Sequence, residues 1–218
     1  MVGDAQELHA QPMPEAPRRA AWVLEATGPA LVLGSTQGFE LVDLDAARKL
    51  GVTVAKRRSG GGVVLVEPGN TVWVDVVVPA GDPLWDHDVG RAARWVGRAW
   101  QATLADLGIG ATDVHDGPLA CGPLGRLVCF GTVGAGEVTI IGRPGGTAAV
   151  RKVVGISQRR TCAAARFQCA AYTSWDPAAL ARLLRLDDTA CRVLADAAVG
   201  TNRDPDETLD AFLRHLPA

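Results

Sequence analysis

Residues 52–78, VTVAKRRSGGGVVLVEPGNTVWVDVVV, alternate runs of β-branched residues with two breaks of different kinds. Val52–Lys56, Val63–Val66 and Val72–Val78 have strand composition. Three consecutive glycines, Gly60, Gly61 and Gly62, separate the first two runs, and a Pro68-Gly69-Asn70 turn separates the last two. The spacing predicts a hairpin of Val63–Val66 with Val72–Val78. Strands this close, with no helix between them, argue against a doubly wound parallel sheet, in which a helix intervenes between successive strands.

Upstream, Trp22-Val23-Leu24 and Ala30-Leu31-Val32-Leu33 are further short apolar runs, and Leu41–Leu50 has helical spacing stopped by Gly51. Downstream, Val89, Ala92, Val96, Trp100, Leu104 and Leu107 recur at intervals of three and four, which predicts the longest helix over Asp88–Leu107, with Trp95 and Trp100 as packing residues. Val128–Phe130, Glu137–Ile141, Val150–Ile156 and Phe167–Tyr172 predict four more strands. Asp176-Pro177 and Asp204-Pro205 each set an N-cap before a proline at the first helical position, and Glu207 adds a capping-box residue. The expected architecture is α+β: one domain over residues 19–218, with a mixed, mainly antiparallel sheet packed by helices. Residues 1–18 are polar and proline-bearing and are expected to form a mobile leader.

With 48% apolar and 21% charged residues, the 218-residue chain can build a sizeable core. Its 22 basic and 24 acidic side chains leave a net charge of −2, so no global positive field attracts nucleic acid. Five cysteines without a Cys-x-x-Cys pair or metal-ligand spacing suit neither a disulfide framework nor a metal site. No secretory h-region or membrane-length apolar run is visible, and a cytoplasmic protein is expected.

Two segments carry chemistry. The glycine triplet behind Lys56-Arg57-Arg58-Ser59 lets the backbone approach a ligand closely and offers N–H groups to an anion, although a bare triple glycine is equally a solvated turn. Its spacing matches neither the P-loop nor the dinucleotide fingerprint. Only three of the 22 basic residues are lysines, and one, Lys152, stands inside the β-branched run Val150-Arg151-Lys152-Val153-Val154-Gly155. It lies either on a solvent face or in a pocket, where a point charge would stabilise an oxyanion.

Four motifs occur in order: Pro29–Gln37, Lys56–Gly62 with Gly69-Asn70, Val128-Cys129-Phe130 with Glu137, and Arg151–Gln158. Together they resemble the lipoate-protein ligase A family, whose superfamily also holds octanoyltransferases and biotin-protein ligases. The resemblance implies a biotin/lipoate ligase-like catalytic domain that attaches octanoate or lipoate to one lysine of a lipoyl domain. The implied acceptors are the lipoyl domains of 2-oxo-acid dehydrogenase complexes or the glycine-cleavage H protein, with acyl carrier protein as a donor. It places Lys152 at the acyl carbonyl or acyl-adenylate phosphate, and Cys129 at the thioester nucleophile of one octanoyltransferase branch. Arg57, Ser59, Gly60, Gly61, Gly62, Asn70, Gly155 and Ser157 become substrate-binding positions. A Cys129 thioester mechanism needs no cofactor, an adenylate-forming ligase needs ATP and Mg²⁺, and a third possibility is a non-catalytic module that binds an acyl ligand or lipoyl domain. The chain departs from the family pattern at Val66-Glu67, where His-Asp is usual, at Gln168-Cys169-Ala170 in place of Gln-His-Gly, and at Ile156 in place of serine.

Overall fold

The computed structural model describes residues 1–142 and 150–217. In chain order the elements are β1 (Val2–Gly3), α1 (Ala5–Ala10), β2 (Ala20–Ala26), β3 (Ala30–Leu33), α2 (Leu44–Leu50), β4 (Thr53–Lys56), β5 (Val64–Val66) and β6 (Thr71–Pro79). They continue with α3 (Val89–Ala92), α4 (Arg94–Asp106), β7 (Thr112–Val114), β8 (Ala120–Cys121), β9 (Thr132–Val133), β10 (Val138–Ile141), β11 (Val150–Arg160), β12 (Ala164–Tyr172), α5 (Ala178–Leu183), α6 (Asp188–Ala197) and α7 (Pro205–Arg214).

A large sheet runs β1-β2-β6-β12-β11-β10-β7, antiparallel at every pairing except the parallel β1–β2 edge. A small sheet, β4-β3-β5, lies over part of it. The fold is the expected mixed, mainly antiparallel α+β arrangement. Strict alternation gives the large sheet two different faces. Val72, Val74 and Val76 of β6, with Phe167, Cys169 and Ala171 of β12, meet Val96, Trp100 and Leu104 of α4 and Phe212 of α7. Trp100 is fully buried and stacks on Phe212 at 4.1 Å between ring centroids, so the tryptophans of α4 are packing residues. On the opposite face Trp73 of β6 and Leu24 of β2 pack against Ala30 and Val32 of β3, Val66 of β5 and α1. The outer side of the small sheet, Leu31, Leu33 and Leu65, is covered by α2 and α5.

Four expectations are corrected. Residues 2–10 are not a leader: β1 pairs with β2, the Met1 ammonium donates to the Val23 carbonyl at 2.6 Å, and α1 buries Ala5 and Leu8. Arg166 donates to the Leu8 and Gln11 carbonyls at 3.0 Å, capping the end of α1. A six-residue helix is too short to show a 3.6-residue period. The hairpin of β5 with β6 does not form, because β5 pairs with β3 in the small sheet while β6 lies between β2 and β12 in the large one. The turn at Glu67–Asn70, with Gly69 at φ +73°, carries the chain from sheet to sheet. The helix over Asp88–Leu107 is interrupted at Ala93 into α3 and α4. Val128–Phe130 is no strand: Cys129–Gly131 is a single 3₁₀ turn, and Val128 makes a lone bridge to Val63.

Candidate active site

A narrow cleft lies between the two sheets. Val64 and Val66 of β5 form one wall. The other is the face of the large sheet carrying Gly155 and Ser157 of β11, Gln168 and Ala170 of β12, and Trp73 of β6. The directly paired positions Gly155 with Ala170, and Ala170 with Trp73, make this a continuous floor of small residues ending in an indole. Cys129 and Phe130 border the cleft, as do Arg57 and His9.

Cys129 is half-buried and fixed by its backbone. Its N–H donates to the Val63 carbonyl at 2.9 Å, and its own carbonyl accepts from Lys152 Nζ at 2.7 Å. A β-bulge aims Lys152 there. Thr139 pairs with Lys152 but Val138 pairs with Val154, so Val153 is an extra residue in β11. Simple alternation would put Lys152 on the face of Val154 and Ile156, whereas its ammonium lies 5.4 Å from the Phe130 ring centroid, on the side of Gly155. Lys152 is fully buried and pairs with Glu137 Oε2 at 2.6 Å. The Glu137 carboxylate also accepts from the Gly134 N–H at 2.6 Å and the Ile156 N–H at 3.0 Å. Phe130 can lie against the floor because residue 155 is glycine: a Cβ there would meet its ring at 3.4 Å.

The glycine triplet approaches protein backbone closely. A Cβ on Gly62 would sit 2.5 Å from the Val128 carbonyl carbon and 2.6 Å from the Cys129 nitrogen, so the glycine lets the Cys129 turn seat itself. Gly61 has φ +103°, a left-handed conformation suited to glycine, and Gly60 borders open space. Arg57 organises the loop from inside, donating to the carbonyls of Gly60 at 3.0 Å and Gly62 at 2.8 Å. It is 4% exposed, its Nε has no hydrogen-bond partner, and no carboxylate pairs with it among the described residues. Burial is the strongest influence on this guanidinium and pulls its pKa down, while the charges of Cys129, Glu137 and Tyr172 act in the opposite direction. It stays charged at neutral pH.

A buried polar chain continues along the same face of the floor. Ser157 Oγ donates to Ser59 Oγ at 3.3 Å, and Ser59 Oγ to Gln168 Oε1 at 2.8 Å. Gln168 Nε2 lies 3.2 Å from His9 Nδ1 and 3.3 Å from Asp75 Oδ2. Asp75 is fully buried and paired with Arg166. The His9 imidazole is held neutral, its pKa lowered to about 3 by burial first and then by the Arg57 and Arg166 charges.

The cleft thus brings together Arg57, Cys129, Gly155 and Ser157, with Ser59 bonded just behind Gln168 and Lys152 clamping Cys129. Asn70 lies elsewhere: its Oδ1 accepts from Thr173 Oγ1 at 2.7 Å and the Ser174 N–H at 2.9 Å, tying the sheet-crossing turn to the end of β12. The Cys169 thiol faces the α4 core, and burial pushes its pKa up, which makes it inert. Three residues beyond the sequence-derived set belong here: Glu137, Gln168 and His9. Glu137 and Gln168 stood within quoted motifs as the acid and amide nearest the key positions, but nothing in the sequence pointed to His9.

A family model described as "Lipoyl protein ligase A/B catalytic domain" matches residues 6–205. No curated protein matches the chain significantly. Among solved structures, a bipartite lipoate protein ligase from Thermoplasma acidophilum, described with its E2 lipoyl domain, superposes with a TM-score of 0.70 at 19% identity, covering 97% of this chain and 74% of that one. A protein of the same archaeon assigned as a lipoate protein ligase, with lipoic acid bound, gives 0.67 at 18% identity over 96% of this chain and 76% of that one. A lipoate-protein ligase A bound with ATP gives 0.65 at 19% identity, covering 97% and 75% respectively. At these identities the likeness is one of fold.

Proposed function

The chain belongs to the lipoyl protein ligase A/B catalytic domain family, and from that premise we propose that it is an acyltransferase that moves an octanoyl or lipoyl group onto the lysine of a lipoyl domain through a Cys129 thioester. The observation that carries this reading is that a half-buried thiol and a buried guanidinium with no carboxylate hydrogen-bonded to it among the described residues both border one largely apolar cleft. An apolar slot suits a fatty acyl chain, and a buried guanidinium on its border supplies positive charge where an oxyanion would develop.

In the first step the Cys129 thiolate attacks the carbonyl of a carrier-bound acyl thioester. The new Cys129 S–C bond forms, the carrier S–C bond breaks, and the carrier thiolate takes up a proton. In the second step the neutral amine of the acceptor lysine attacks the Cys129 thioester. An amide forms, and the amine's proton passes to the departing Cys129 sulfur. Arg57 supplies positive charge for the oxyanion of each tetrahedral intermediate. Lys152 is a positioning residue here: its ammonium holds the Cys129 carbonyl, and Glu137 holds the ammonium. A lipoyl domain as acceptor is supported by the E2 lipoyl domain described with the archaeal ligase; acyl carrier protein as donor and the H protein as a further acceptor belong to the same proposal.

ATP-dependent ligation through an acyl-adenylate is the second reading, favoured by the ATP-bound relative of the same fold. Among the described residues the cleft lining contains no carboxylate to hold Mg²⁺, and the nearby Glu137 and Asp75 are engaged by Lys152 and Arg166. No step is therefore assigned to a metal nucleotide. Incubation with an octanoyl thioester should raise the intact mass of the protein by one octanoyl group, with neutral hydroxylamine removing it. Absence of that adduct at Cys129 would refute the thioester.

A further inference from the structure

The cleft has two ends. The Phe130 ring stands over Gly155 of β11, with Cys129 next to it on the cleft border, whereas His9 packs tilted against Trp73 of β6 with ring centroids 4.3 Å apart. Two strand spacings, from β11 across β12 to β6, separate them by about 10 Å. An extended chain of about eight carbons, with bonds of about 1.5 Å, spans a similar distance. Between the ends the floor narrows to Ala170 of β12, beside the Phe130 ring that covers Gly155. His9 arrives from α1, itself fixed by the Asp4 N-cap and by Arg166 on its last carbonyls, so the imidazole sits on a rigid element. Its Nδ1 is engaged by Gln168, and Nε2 makes no hydrogen bond to the protein among the described residues. The ring is uncharged at neutral pH and presents an apolar-compatible end to the slot.

We propose that His9, seated on Trp73, is the end wall of the acyl slot and sets the length of chain that the slot accepts. The inference rests on the acyl-transfer reading of the cleft and deepens it by making the N-terminal helix the element that sets acyl-chain length. Lengthening the slot admits a longer tail, and filling it rejects the natural one, because one methylene in a closed apolar pocket changes discrimination by about 10-fold or more.

The test measures binding of saturated fatty acids of six to twelve carbons by calorimetry, with the 218-residue protein, His9→Ala and His9→Phe. The parent should prefer the eight-carbon acid. His9→Ala should move the optimum to ten or twelve carbons, changing the ratio of affinities by about 10-fold or more, and His9→Phe should move it toward six. The two variants err in opposite directions, so loss of fold in one leaves the other decisive. An unchanged length profile in a folded variant would overturn the role of His9 while leaving acyl transfer standing. If the parent binds none of the acids, the acyl reading of the cleft falls and this inference with it.

Discussion

Removing the Lys152 ammonium, as in Lys152→Met, leaves the Glu137 carboxylate in the interior with two backbone N–H donors and no cation. Lys152 is 0% and Glu137 5% exposed, so water cannot replace the lost partner. Breaking a buried ion pair from one side costs about 3–5 kcal/mol, and the methionine variant should lie near the upper end. Glu137→Gln should cost less. It keeps an acceptor for one N–H, and the ammonium retains the Cys129 carbonyl and the Phe130 ring. For a chain of this size such losses lower Tm by about 6–20 °C. Chemical denaturation of the two single variants and the double variant closes a thermodynamic cycle, and the double loss should fall short of the sum by about 1–3 kcal/mol. Lys152→Met should also slow alkylation of Cys129, because the carbonyl that fixes its turn is released. Single losses under about 1 kcal/mol, combined additively, would refute the buried pair as the clamp on Cys129.

His9 gives a pH signature. Its folded pKa of about 3 lies below the ordinary 6.5, so below pH 6.5 the unfolded chain binds a proton that the folded chain refuses, and stability falls with acidification. Between pH 7.5 and pH 5 the loss from this group is about 2 kcal/mol, measurable as the difference between the parent and His9→Asn in urea titrations at both values; equal pH dependence would show that His9 titrates normally. The glycine triplet should divide by position: Gly60→Ala faces open space and should be silent, whereas Gly62→Ala meets the backbone of Val128 and Cys129 and should cost about 1–3 kcal/mol and reduce acylation of Cys129. Equal Tm and equal labelling of the two variants would contradict the seating of the Cys129 turn on Gly62.

What could be read from the sequence was local. The alternation of Val72, Val74 and Val76 marks a strand with one aliphatic face, and the i, i+3, i+4 spacing of α4 marks its buried side. The ordered motifs brought Cys129, Lys152 and the glycine triplet into one hypothesis. Pairing between distant segments was not legible. A β-branched run after a turn reads as a hairpin whether it pairs with its neighbour or, like β5, crosses to another sheet. Alternation places Lys152 among aliphatic side chains of the α4 face, and the bulge at Val153 that turns it toward Cys129 leaves no mark in composition. His9 and Gln168 are 159 positions apart, and the helix that brings them together spans only six residues.

The central claim is acyl transfer through Cys129 to a lipoyl domain. Its most direct test is intact mass spectrometry of a lipoyl domain incubated with the protein and octanoyl-acyl carrier protein, without ATP. The domain should gain one octanoyl group, and Cys129→Ser should abolish the gain. A gain that appears only with free lipoate and ATP and persists in Cys129→Ser, or no gain under either condition, would contradict it.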